Sequence, residues 1–176
     1  MVETRNKKGM AGVLTPLGRM YSSLERDMIT AFALSCPFLI VAESPKDGAG
    51  VFAPMDGMIY RCKGPDIEVA YVYEAKTRNF SAATLFGQYG GRAMIKSAKL
   101  GNAQRAALLF AVPALAFIRL QGEAFYLVKR LVNPDGTFTF KYNERFMRTQ
   151  KPCGRGLWEE TYQSYVPMHN ATRMKL

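Results

Sequence analysis

Two charged side chains close a strand-forming run at 71–80, YVYEAKTRNF: Glu74 and Lys76, separated by a single alanine. Alternate side chains of an extended strand share a face, so both project to the same side. Alone, such a pair is a surface ion pair of small energetic weight. A second carboxylate changes what it can do. The stretches 51–61 (VFAPMDGMIYR) and 67–78 (IEVAYVYEAKTR) are strand candidates, the second rich in β-branched and aromatic residues. Gly64 and Pro65 between them favour a turn, which predicts an antiparallel hairpin. With that turn centred on residues 64–66, Asp56 falls opposite Glu74, and directly opposed residues share a face. Asp56, Glu74 and Lys76 then converge at one end of a sheet.

Register is the open point. A slip of one residue would break the alignment. A turn placed earlier would make Asp66 the partner carboxylate and leave Asp56 in a loop, but the turn-forming composition is strongest around Asp66 itself, which favours Asp56. Two carboxylates meeting at one point repel unless positive charge lies between them, and hard oxygen donors suit Mg²⁺ or Mn²⁺. Magnesium takes few protein ligands and completes its shell with water and substrate phosphate oxygens, so a bound water can serve as nucleophile. Lys76 beside it would orient that water or stabilise developing charge. This chemistry needs neither histidine nor cysteine. The chain holds one histidine, His169, and three scattered cysteines, Cys36, Cys62 and Cys153. That inventory argues against a disulfide framework, a Cys/His zinc site and a histidine-based triad.

With 24 Lys+Arg against 14 Asp+Glu, the formal charge of the 176-residue chain is +10. Such a field favours a polyanionic partner, nucleic acid first and an anionic membrane surface second. The basic residues Arg92, Lys96, Lys99 and Arg105 form either a DNA-facing stripe or a solvated face. Thr77 and Arg78 directly follow the Glu-Ala-Lys triplet, where they either contact phosphate or close the strand. The most apolar run, 106–118, is interrupted by Pro113 and closed by Arg119. It is too short to span a bilayer, and no targeting signal shows, so the expectation is a soluble, intracellular (cytoplasmic) protein without a membrane partner.

The elements around these residues are predicted as follows. Residues 1–15 are a basic flexible arm, 16–145 the core, and 146–176 a C-terminal extension of the same domain. From Pro16, the residues Leu17, Met20, Tyr21, Leu24, Met28, Ala31 and Phe32 recur at helical spacing, with Glu25 bordering the apolar face and Pro37 as the stop. After the hairpin, Ser81 caps a helix that Gly90 and Gly91 break, and a helix resumes over 92–112. Two strands follow, PALAFIRL and EAFYLVKRLV, then a possible third, TFTFKYN; Phe125, Tyr126, Phe138 and Phe140 read as core. The order of helix, hairpin, helix, strand and strand predicts an α/β fold, a mixed sheet covered by helices.

Asp56 after Pro54-Met55, followed by Glu74-Ala75-Lys76 at the end of the next strand, resembles the PD-(D/E)XK nuclease superfamily. Across residues 17–132 the order of elements also resembles that family, most of all Holliday-junction resolvases and related phage and archaeal endonucleases. The literal Pro-Asp pair falls instead at Pro65-Asp66. The resemblance implies a restriction-endonuclease-like mixed sheet and a Mg²⁺- or Mn²⁺-dependent DNA endonuclease acting on branched DNA, often as a homodimer. It implies Asp56 and Glu74 as metal ligands, Lys76 as a catalytic residue and Glu25 as a further catalytic ligand from the first helix. Gln88 matches a family glutamine but reads more readily as a surface residue. The rival expectation is a non-catalytic nucleic-acid-binding protein with the same fold, or a restriction-like enzyme or exonuclease of the same superfamily.

Overall fold

The structure, a computed structural model, describes residues 16–36, 38–43, 55–150 and 158–176. The expected arm 1–15, the start of the first strand candidate at 51–54 and Cys153 lie outside the described residues. The predicted mixed α/β sheet flanked by helices is what the chain forms.

Helix α1 (Pro16–Ser35) ends two positions before Pro37 and buries Met28, Ile29 and Phe32. It is followed by β1 (Leu39–Glu43), β2 (Gly57–Lys63) and β3 (Asp66–Arg78). After β3 come a short π-helical turn (Thr84–Gln88), β4 (Arg92–Lys96) and helix α2 (Ser97–Phe110). The chain closes with β5 (Ala114–Leu120), β6 (Phe125–Val132), β7 (Glu144–Gln150), β8 (Trp158–Pro167) and β9 (Thr172–Lys175). Six strands make the main sheet in the order β1-β2-β3-β5-β6-β9. Within it only β3 and β5 are parallel, and α2 lies in the crossover that such a pairing requires.

The centre of the main sheet is buried on both faces. On one side Tyr73, Ala75, Leu115 and Phe117 pack against Met28, Ile29 and Phe32 of α1. On the other, Val72, Ala114, Ala116 and Ile118 pack against Leu100, Ala103 and Ala107 of α2. This explains why β5 reads as a continuous apolar run rather than an alternating one. Among the described residues no helix is long and apolar enough to cross a membrane.

Two sequence expectations are corrected. Residues 92–96 form a strand rather than the start of a helix. Ala93 and Ile95 are buried while Arg92 is exposed, a period of two that local helix propensity hides, and the pairing partner is β8, about seventy residues on (Ile95 opposite Ser164). Gly90 and Gly91, at φ +57° and +67°, separate this strand from the π-helical turn. Segment 137–143 forms only an isolated bridge, Val132 to Phe138; its rings stack on one another instead, with Phe138 and Tyr142 centroids 4.7 Å apart. Strand β1 has no counterpart in the sequence expectation: five residues with no clear alternation, held by pairing to β2.

Candidate metal centre

The hairpin places the acids. Its turn is tighter than expected, Gly64-Pro65 alone, with Lys63 opposite Asp66. That register, carried straight on, would set Asp56 against Tyr73. A bulge intervenes: Ile59 pairs Tyr71 but Tyr60 pairs Val69, so Ala70 is the extra residue on β3. Beyond it Gly57 pairs Tyr73, and the next step brings Asp56 level with Glu74. Asp66 sits at the turn, eight residues of strand from Glu74, about 26 Å at ~3.3 Å per residue. The two acids that meet are Asp56 and Glu74.

Strand β2 begins only at Gly57, so past Tyr73 this edge of β3 takes side chains instead of a strand. Asp56 is tied in twice: its amide donates to the Tyr73 carbonyl at 3.2 Å, and its Oδ2 accepts the Ala75 amide at 2.9 Å. Two residues on, the Thr77 amide donates to Glu25 Oε1 at 3.1 Å. Gly57 permits this close fit. A Cβ there would lie 2.4 Å from the Ala42 carbonyl oxygen and 2.5 Å from the Tyr73 hydroxyl.

Four charges occupy the α2 side of the sheet at this point. Glu74 is 1% exposed. Lys76 Nζ is 2.6 Å from Glu74 Oε1 and 3.5 Å from Asp56 Oδ2, and it donates to the Ala75 carbonyl at 2.9 Å. Lys99 Nζ, from the first turn of α2, is 3.1 Å from Glu74 Oε2 and 3.3 Å from Asp56 Oδ1. Each ammonium therefore bridges both acids. Burial pushes the Glu74 carboxyl up from its usual range and Asp56 adds to this, while Lys76 and Lys99 oppose it. Burial also works against the Lys76 ammonium, but Glu74, then Asp56 and Glu25, outweigh it and hold its pKa above the ordinary lysine value.

Several residues take positions other than the expected ones. Lys99, grouped by sequence with Arg92, Lys96 and Arg105 in a basic stripe, stands between the two acids. Arg92 and Lys96 are on β4, whereas Lys99 and Arg105 are on α2. Arg105 is exposed and donates to the Gly101 carbonyl and Asn102 Oδ1. Arg78 donates to the Met94 carbonyl; burial pulls its pKa down, and Glu25 and Glu74 push the other way. Gln88 is exposed at the end of the π-helical turn. Glu25 reaches the sheet edge next to the acid pair. Its helix packs on the opposite face of the sheet, so its carboxylate meets the Thr77 edge amide. Beyond Thr77 the carboxyl ends of β3 and β5 open into a cavity of about 250 Å³, lined by Tyr21, Leu24, Arg78 and Arg119 among others.

Among the described residues, no group of three or more His, Cys, Asp or Glu is placed to hold an ion. The fit of a divalent metal is therefore a question about Asp56 and Glu74 alone. Both Glu74 oxygens are buried, and each faces an ammonium: Lys76 Nζ at 2.6 Å from Oε1 and Lys99 Nζ at 3.1 Å from Oε2. A cation already stands between one oxygen of each acid. Hard carboxylate oxygens of this kind, one from each acid, are a donor set that suits Mg²⁺ or Mn²⁺ with water completing the shell.

No family model and no curated protein matches the chain. Among solved structures the chain is similar to Archaeoglobus fulgidus Hjc, a Holliday junction resolvase from an archaeal hyperthermophile. The two are 14% identical over 64% of this chain and 76% of that chain, with a TM-score of 0.39. At that level of similarity, a functional reading stands on the site residues themselves.

Proposed function

We propose that the protein is a divalent-metal-dependent DNA endonuclease that hydrolyses phosphodiester bonds. The observation that carries this is the buried Glu74 carboxylate, held level with Asp56 by the β3 bulge, with two ammoniums bridging the pair. A bare ion pair at the end of a strand has no need of such burial. Asp56 and Glu74 would hold the metal, which when bound supplies a water of lowered pKa and neutralises phosphoryl charge. Lys76, fixed by the Ala75 carbonyl, keeps a permanent positive charge beside the place where negative charge develops. Asp56 is oriented by the Ala75 amide, and Glu25 supports the same edge through Thr77. Glu25 thus acts as a positioning residue. The chain's charge of +10 supplies the field for DNA, and Arg78 and Arg119 line the cavity past Thr77.

The preference for branched DNA, and a homodimeric assembly to cut two symmetric strands, rest on the sequence resemblance. The test offers purified protein four-way junction, duplex, flap and single-stranded DNA with Mg²⁺ or Mn²⁺. Cleavage of the junction is expected to exceed that of duplex. Asp56→Asn and Glu74→Gln are expected to lower it by at least about 100-fold, the scale of losing a site's electrostatic stabilisation, with circular dichroism unchanged. Salt-sensitive binding without cutting of any substrate, unaltered by Glu74→Gln, would instead establish the binding-only alternative.

A further inference from the structure

We propose that Lys99 is a resident counter-ion that occupies the cation position between Asp56 and Glu74 and must be displaced for divalent metal to bind. The inference rests on the metal-dependent reading of the site. Its starting point is geometric: one Nζ lies 3.3 Å from Asp56 Oδ1 and 3.1 Å from Glu74 Oε2, so it bridges the two carboxylates where a shared cation would sit.

Two further observations give this position its meaning. First, Lys99 is the third residue of α2, a helix with no acidic residue in its first turn. A cation at a helix N-terminus opposes the macrodipole, so Lys99 is held there by the acids and not by its own helix. Second, the two lysines differ in anchorage. Lys76 is on the same strand as Glu74 and is bonded to the Ala75 carbonyl. Lys99 reaches in from another element, α2, on a flexible four-carbon stem, so it can swing away without moving the strand that carries Glu74. A divalent ion and an ammonium cannot both sit about 3 Å from the same two oxygens, because their mutual repulsion in a partly buried site is large. Metal and Lys99 therefore exclude one another, and the metal affinity of the resting protein is lower than its two carboxylates alone would give.

The experiment titrates Mn²⁺ into DNA-free protein, following free Mn²⁺ by electron paramagnetic resonance, for the wild type, Lys99→Met, Lys99→Arg and Glu74→Gln. Lys99→Met is expected to tighten Mn²⁺ binding by about tenfold or more, the scale of relieving one close charge contact. Lys99→Arg, which keeps the charge, stays near the wild type, and Glu74→Gln loses binding. A second measurement needs no variant: acetylation of wild-type lysines read by mass spectrometry. Mn²⁺ is expected to speed labelling of Lys99 and to leave Lys63, in the distant hairpin turn, unchanged. Equal or weaker Mn²⁺ binding by folded Lys99→Met, or protection of Lys99 by Mn²⁺, overturns the role of Lys99 and leaves the metal site standing. Absence of Mn²⁺ binding in both wild type and Lys99→Met overturns the metal reading itself, and this inference with it.

Discussion

A carboxylate that is 1% exposed must have its charge answered inside the protein, and at Glu74 the answer is two ammoniums. Removing one partner of such a cluster leaves the other charge buried, which costs more than the pair was worth. Lys76→Met is accordingly expected to destabilise the protein by about 2 kcal/mol, below the full penalty for a buried pair because Lys76 is partly exposed. Urea unfolding measures this. Adding Glu74→Gln to the same chain is expected to recover most of the loss, and the double-mutant cycle isolates the coupling. A second loss of similar size in the double variant would show that the two side chains are independent. The chemistry of these residues is legible in the sequence, since Glu74 and Lys76 share a strand face by alternation alone. The part played by Lys99 is not. Nothing in the SAKLGNAQR stretch distinguishes Lys99 from Arg105, and only the docking of α2 on β3 separates a site residue from an exposed one.

Among the elements, the hairpin does the placing, and its fit is tested at Gly57. Any side chain there meets the Ala42 carbonyl oxygen at 2.4 Å and the Tyr73 ring, which itself packs edge-on to Phe117. Gly57→Ala is expected to cost about 1–3 kcal/mol, the range of overpacking a tight site. Because Asp56 is the neighbouring residue, Mn²⁺ affinity and cleavage should fall with it. Gly87, where an added Cβ would meet nothing within 4 Å, is the control: Gly87→Ala should leave thermal midpoint, metal binding and cleavage unchanged. The hairpin is readable from Gly64-Pro65 and the flanking strand residues. Its register is reached by two features that compensate, a turn one residue tighter than expected and a bulge at Ala70. Neither leaves a mark in the local pattern, since Ala70 sits in the apolar run IEVAYVY like any other strand residue.

At the scale of the whole molecule, the net charge of +10 predicts how DNA binding responds to ions. Each phosphate neutralised contributes a slope of roughly −0.9 in log affinity against log salt, so a footprint of about six or more contacts loses about 10³-fold between roughly 50 and 200 mM salt. Fluorescence anisotropy with a four-way junction, using Glu74→Gln in Mg²⁺ to prevent cutting, measures this directly. A flat salt response would remove nucleic acid from the reading. The fold carries this charge on more than one element, because β4 pairs with β8 near the chain end and is not part of the helix that carries Lys99 and Arg105. Such a three-stranded sheet (β4-β8-β7) cannot be inferred from Arg92–Lys96 alone, whose partner lies about seventy residues away.

By itself the sequence determined the things that depend on neighbours along the chain. These are the first helix and its stop before Pro37, the hairpin, the two apolar strands after Pro113, and the common face of Glu74 and Lys76. Backbone geometry repeats every two or about 3.6 residues, so side-chain direction within an element can be read from spacing. Only the tertiary structure decided what meets across elements. It set Asp56 rather than Asp66 beside Glu74 through a bulge, brought Glu25 to the Thr77 amide, and inserted Lys99 between two carboxylates. Those outcomes follow from which faces pack together and how far a long side chain reaches, and local spacing encodes neither.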